Sequence, residues 1–98
     1  MKRPPRLDDA LVALWLKSHT NWTVSDGHLV FEHPVRYEVG CALATASVPV
    51  AEELDHHPFL TVGYNHLRIE LWTHDKNGLT QLDLTFAEFV DSFLSTRH

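Results

Sequence analysis

The chain predicts a single α+β domain in the order α-β-β-α-β-β-α, with a four-stranded antiparallel sheet and three helices packed on one of its faces. Two observations carry this reading. Three segments repeat their apolar residues at helical spacing, and two pairs of shorter, alternating segments lie between them. The length, 98 residues, is that of one small domain. We divide it into an N-terminal arm, residues 1–6, and a domain spanning residues 7–98.

Asp8 is placed to cap the first helix, with Leu7, Leu11, Leu14 and Trp15 as its apolar face and its end near His19. Trp22-Thr23-Val24 reads as a short strand. Ser25-Asp26-Gly27 is a turn, because Asp-Gly accepts the positive φ values of a tight hairpin. Leu29–Tyr37 is the partner strand, with Leu29, Phe31, Val35 and Tyr37 on one face. Pro34 has no N–H to donate, which predicts an edge or a bulge there. Glu38–Leu54 forms the second helix on the spacing of Val39, Leu43, Ala46, Val50 and Leu54, and Pro49 predicts a kink or break within it.

Phe59–Tyr64 is a third strand. His66–His74 is a fourth, turning Leu67, Ile69, Leu71 and Thr73 toward the helices and His66, Arg68, Glu70, Trp72 and His74 away from them. Asp75-Lys76-Asn77-Gly78 is a turn. Thr80 and Asp83 have the spacing of a capping box, so the last helix starts there and buries Phe86, Phe89, Val90, Phe93 and Leu94.

Composition narrows the function. A net charge of -5, with no basic stripe in the folded part, argues against direct nucleic-acid binding. The single cysteine, Cys41, excludes an internal disulfide and reads as a small buried hydrophobe. No apolar run is long enough to span a membrane and the N-terminus lacks a signal-peptide core, so a cytoplasmic protein is expected. So small a core leads us to expect homo-oligomerisation.

The chemistry concentrates between Asp55 and Asp83. His56 and His57 are adjacent where a helix meets Pro58, and His74 follows at the end of the fourth strand. Imidazole both gives and takes protons near neutral pH, so three in one segment suggest acid–base chemistry on a small molecule. Pro58 restricts His57 to extended backbone, and neighbouring side chains at such a junction diverge. The structural alternative is a polar helix end, where cationic histidine suits the dipole, together with an exposed strand end at His74. A zinc site built on these histidines with Asp55 or Asp75 is a second alternative, but no HxxxH or HExxH pair places two ligands on one helical face. His19, His28, His33 and His98 read as solvated or locally bonded, and His66 lies too far along its strand to act with His74.

Taken together, Glu52, His56-His57-Pro58, Tyr64-Asn65, Thr73-His74, Gly78-Leu79-Thr80 and Asp83 resemble, in order and spacing, the signature of the pterin-4a-carbinolamine dehydratases, or 4a-hydroxytetrahydrobiopterin dehydratases. The resemblance runs from the first helix to the last and is strongest over residues 51–91; Pro34, Pro49 and a lower aromatic content depart from the family pattern. It implies a lyase that removes water from a 4a-hydroxytetrahydropterin to give quinonoid dihydropterin, in tetrahydropterin recycling beside an aromatic amino-acid hydroxylase. No metal and no cofactor is implied, the pterin being the substrate.

It further implies His56, His57 and His74 as catalytic residues. His57 and His74 would transfer protons while His56 holds the substrate and places its hydroxyl. Glu52 and Asp55 would bind pterin nitrogens or orient the imidazoles. Trp72, Thr73 and Asp75 would form the other wall, and Asp83 would orient a histidine or simply start the last helix. Members of the family form homodimers and homotetramers. Some relatives act instead as dimerisation cofactors or assembly chaperones, so a non-catalytic scaffold on the same fold is the competing class, followed by a histidine-based metal-dependent hydrolase.

Overall fold

The computed structural model describes residues 3–97; Met1, Lys2 and His98, the outer ends of the expected arm and domain, lie outside them. Its elements run α1 (Asp9–Ser18), β1 (Trp22–Ser25), β2 (His28–Arg36), α2 (Tyr37–Leu54), β3 (Phe59–Gly63), β4 (Asn65–Leu71), a short 3-10 turn (His74–Lys76) and α3 (Gln81–Ser95). The strands form one sheet in the order β1-β2-β4-β3, every pairing antiparallel. The expected α+β architecture is the observed one. None of the described helices is long and apolar enough to cross a membrane.

The sheet turns one face to the helices. Leu29 and Phe31 of β2 and Leu67, Ile69 and Leu71 of β4 are buried on it, as the period of two requires. Leu43 and Ala51 of α2, and Leu84, Phe86, Ala87 and Val90 of α3, close over them. Phe86 is fully buried; truncation to alanine at such a site costs about 3–5 kcal/mol.

The β1–β2 turn is the tight one expected. Ser25 pairs with His28, and the two residues between, Asp26 and Gly27, both have positive φ. Pro34 sits where the register of β2 on β4 shifts between His33 and Arg36, and beyond the last β1 pair, Trp22 with Phe31. Its missing donor is therefore needed by neither neighbour.

Tyr37, expected on the face of the second strand, instead opens α2 and is exposed. Three further expectations are corrected. The first concerns α1, which buries Val12 and packs Trp15 and Leu16 on the core, while Leu11 and Leu14 are exposed. Leu7 precedes the helix: its N–H donates to the Leu79 carbonyl at 2.8 Å, so the apolar repeat does not begin there. In the second helix the break expected at Pro49 is absent, and α2 runs continuously from Tyr37 to Leu54. Pro49 and Thr45, whose carbonyl loses its i+4 donor, both lie on the exposed side, where water can take the donor's place. The third correction falls at β4, which ends at Leu71, so that His74 opens the 3-10 turn rather than closing a strand. Thr73 makes a lone bridge to Gly78, its N–H donating to the Gly78 carbonyl at 2.8 Å, and this pinches residues 74–77 into a tight loop.

The capping box is present as read: the Thr80 hydroxyl accepts from the Leu82 N–H, and Asp83 accepts from the Thr80 N–H. What spacing could not show is that Asp83 is fully buried.

Candidate active site

Two chain reversals bring the histidines together. At the end of α2, Asp55 adopts the left-handed conformation (φ 48°, ψ 48°), and its N–H returns to the Ala51 and Glu52 carbonyls. Aspartate tolerates this region better than most residues. The reversal sends the two following side chains apart: His56 goes inward and is 6% exposed, while His57 stays in solvent. The second reversal, after Thr73, points His74 and Asp75 back toward the same place.

A pocket of about 260 Å³ lies between them, near the lower end of the usual ligand-pocket range of about 300–1,000 Å³. Asp55, His56, His57 and Phe59 line it from the α2–β3 side, and Trp72, Thr73, His74 and Asp75 from the β4 side. Seven of the nine expected site residues therefore share one wall-to-wall space. Two larger hollows, of about 430 and 410 Å³, lie against α1 and against the end of β2. The first has no histidine and the second only His33, so the smaller pocket is where acid–base chemistry is concentrated.

The remaining two residues do not line the pocket but hold histidines that do. The Asp83 carboxylate accepts from Nε2 of His56 at 2.5 Å, from the Thr73 hydroxyl at 2.8 Å and from the Thr80 N–H at 2.9 Å. A buried charge is tolerated only with such partners. Because an ionised carboxylate is a pure acceptor, Nε2 of His56 carries a proton and Nδ1 is the nitrogen left over. Glu52 is exposed and holds His57 by a 2.6 Å contact to Nε2, one turn of helix before the reversal. Each of the paired histidines thus has its own carboxylate, one buried and one open to water.

Sequence reasoning missed two wall residues. Phe59 meets the Trp72 ring edge-on at 5.1 Å; its position at the start of β3, opposite Glu70 and so beside Trp72, was the available signal. Arg3 reaches the pocket from the N-terminal arm. Its guanidinium donates to the Asp55 carbonyl at 2.5 Å and lies 3.6 Å from the carboxylates of both Asp55 and Asp75. Among the described residues it is the cation beside Asp55 and Asp75 on the rim, and no local pattern marks it. Among the described residues, no three His, Cys, Asp or Glu side chains are gathered closely enough to hold a metal ion.

Known proteins share this arrangement of chain. A family model described as pterin 4 alpha carbinolamine dehydratase matches residues 5–93. A Metallosphaera sedula protein named "Putative pterin-4-alpha-carbinolamine dehydratase" is 37% identical over 95 residues, covering 96% of this chain and 99% of that protein. A Chloroflexus aurantiacus protein of the same name is 31% identical over 91 residues, covering 92% of this chain and 98% of its own length. Among solved structures, a Brucella melitensis protein described as a transcriptional coactivator/pterin dehydratase superimposes with a TM-score of 0.82 at 25% identity, over 90% of this chain and 97% of that one. With the family model spanning nearly every element that builds the pocket, and whole-length relatives on either side, this chain belongs to the pterin 4 alpha carbinolamine dehydratase family.

Proposed function

We propose that this protein is a hydro-lyase that dehydrates a 4a-hydroxytetrahydropterin to quinonoid dihydropterin and water, by histidine acid–base catalysis and without a cofactor. The observation that carries the reading is the convergence of His56, His57 and His74, from two distant segments, on one small pocket. Its family membership supports the substrate class.

The reaction needs little more than placed protons. The N5–H proton leaves to a base, the C4a–OH bond breaks as an acid protonates the departing hydroxyl, and the freed electron pair forms the C4a=N5 double bond. His57 and His74, both open to the pocket, take the two proton-transfer roles. Glu52 orients the His57 ring and leaves its Nδ1 to the substrate. His56, locked by Asp83, presents one nitrogen at a fixed position and holds the hydroxyl. Asp55 and Asp75 accept from the amino and ring N–H groups of the pterin, and Trp72 offers a flat wall to its fused rings. Each positioned acid or base supplies about 10²–10⁴-fold.

Turnover in tetrahydropterin recycling, a cytoplasmic location and assembly as a homodimer or homotetramer belong to the same proposal; the last is supported by the small core and by exposed Tyr37 and Val48 along α2. Stopped-flow absorbance of 4a-hydroxytetrahydropterin decay tests it. A rate well above the spontaneous one is expected. No acceleration by folded protein would remove the enzymatic reading and leave the scaffold role, to which the coactivator description of the Brucella relative points; pterin binding then separates the two.

A further inference from the structure

The wall residue Trp72 has a partner on a different strand. The imidazole of His28, the first residue of β2, stacks on the indole at 4.1 Å between centroids with the planes 6° apart. The imidazole is itself anchored: its Nδ1 lies 2.5 Å from Oε2 of Glu70, two residues before Trp72 on β4. Glu70 is fixed in turn by Arg68, which donates to its Oε1 at 2.8 Å and stands 3.4 Å from Glu32. These hydrogen bonds from His28 and Arg68 hold the Glu70 carboxyl below its ordinary value, as expected of a carboxylate kept charged by two donors. The His28 and Glu70 side chains are 30% and 22% exposed, so the contact is partly sheltered from water.

The surroundings give this contact a purpose. Trp72 and His74 line the histidine pocket and also a second hollow, of about 210 Å³, that opens toward the Asp26–Gly27 turn on the His28 side. An indole bordering that much free space can rotate unless something holds its plane. Phe59 touches it only edge-on. The flat contact comes from His28, and the hydrogen bond to Glu70 keeps the imidazole from turning with it.

We propose that His28 is a positioning residue: anchored on Glu70, it sets the plane of Trp72 and thereby the shape of the wall against which a flat ring system lies. That the ring system is a pterin rests on the function proposed above; the hold of His28 on Trp72 does not. The expected kinetic signature is in binding rather than chemistry, because His28 lines the second hollow and not the histidine pocket, whereas Trp72 borders both.

The experiment pairs two readouts on wild type, His28→Ala and His28→Phe. The first is the set of indole N–H resonances of the unliganded protein, with Trp72 assigned by its loss in Trp72→Phe. Trp15 and Trp22 serve as internal controls, since their indoles donate to Glu88 and Asp91. The second is KM and kcat for 4a-hydroxytetrahydropterin. In His28→Ala the Trp72 resonance should move while the other two stay, and KM should rise about fivefold with kcat within about twofold, the scale of one aromatic stacking contact. His28→Phe, which keeps a flat ring over the indole, should return both toward wild type. Should the alanine variant fail to fold, His28→Gln, which can still donate to Glu70 but has no ring, carries the same readouts. A Trp72 resonance unmoved in the variant without a ring overturns the inference, as does a loss of kcat with KM unchanged. If the wild type neither binds nor converts the pterin, the proposed function falls, and the resonance alone decides the role of His28.

Discussion

The Nε2 atom of His56 lies 2.5 Å from Oδ1 of Asp83, and the two side chains are 6% and 0% exposed. A residue on the pocket wall is thus bolted to the cap of the last helix, where the same carboxylate also receives the Thr73 hydroxyl and the Thr80 N–H. Site geometry and fold stability share one group. Asp83→Asn should therefore cost about 2–4 kcal/mol, since an amide cannot accept from all three donors and leaves a buried one unpaired. In a domain of this size that is a fall in Tm of roughly 10–25 °C, read by calorimetry, with activity lost in step. An unchanged Tm would show that the pair does not carry the fold.

The two exposed histidines should behave differently. His57→Ala and His74→Ala are expected to fold normally, being open to solvent, and to lower kcat by about 10²–10⁴-fold with KM changed far less. His33→Ala is the control, because its ring bonds the Asn21 carbonyl away from the pocket. Equal losses in all three variants would remove the acid–base assignment.

Arg3 bridges the two rims of the pocket through groups that are mostly exposed, the Asp55 and Asp75 side chains being 84% and 58% open. Contacts of this kind contribute little to stability. Arg3→Ala should leave the unfolding free energy within about 0.5 kcal/mol of wild type while raising KM severalfold at low salt. Because Debye screening shortens to about 3 Å at 1 M salt, the difference in KM should shrink there. A KM identical at every ionic strength would make the arm a bystander.

Pro49 sits in the interior of a continuous helix, on its exposed side. Proline there costs about 3 kcal/mol relative to alanine, offset by about 0.4–1 kcal/mol from its stiffening of the unfolded chain. Pro49→Ala should raise stability by about 2 kcal/mol in urea titration. A loss of stability would mean that the proline ring makes a contact worth more than the missing hydrogen bond.

Glu70 should leave a mark on acid stability. Its carboxyl is held low by the hydrogen bond from His28 first and by Arg68 second. A depressed carboxylate contributes stability that is fully present above its unfolded value, about 4.3, and that is lost as pH falls through the lower folded value. Denaturant midpoints measured from pH 7 down to pH 3 should accordingly fall less steeply in Glu70→Gln than in wild type. Parallel acid limbs would show that other carboxylates control the transition.

The local layer of this structure was written in the chain itself. Alternation over residues 66–73 placed Leu67, Ile69, Leu71 and Thr73 on the buried face, Asp26-Gly27 named the hairpin turn, and Thr80 with Asp83 named the helix start, because each depends on residues within one turn or one pleat of each other. The spacing of His56, His57, His74 and Asp83 likewise carried the family. Burial is less legible: spacing gives α1 the face Leu7, Leu11, Leu14 and Trp15, whereas packing keeps Trp15, adds Val12 and Leu16 and leaves Leu11 and Leu14 exposed. Periodicity says that a helix has a face, and only the neighbouring elements say which one is used. Asp83 behind His56, His28 flat on Trp72 and Arg3 between Asp55 and Asp75 join residues 27, 44, and 52 and 72 positions apart, respectively. Contacts at that range depend on strand order and on where α2 stops. They belong to the tertiary structure, since no local interaction energy records them.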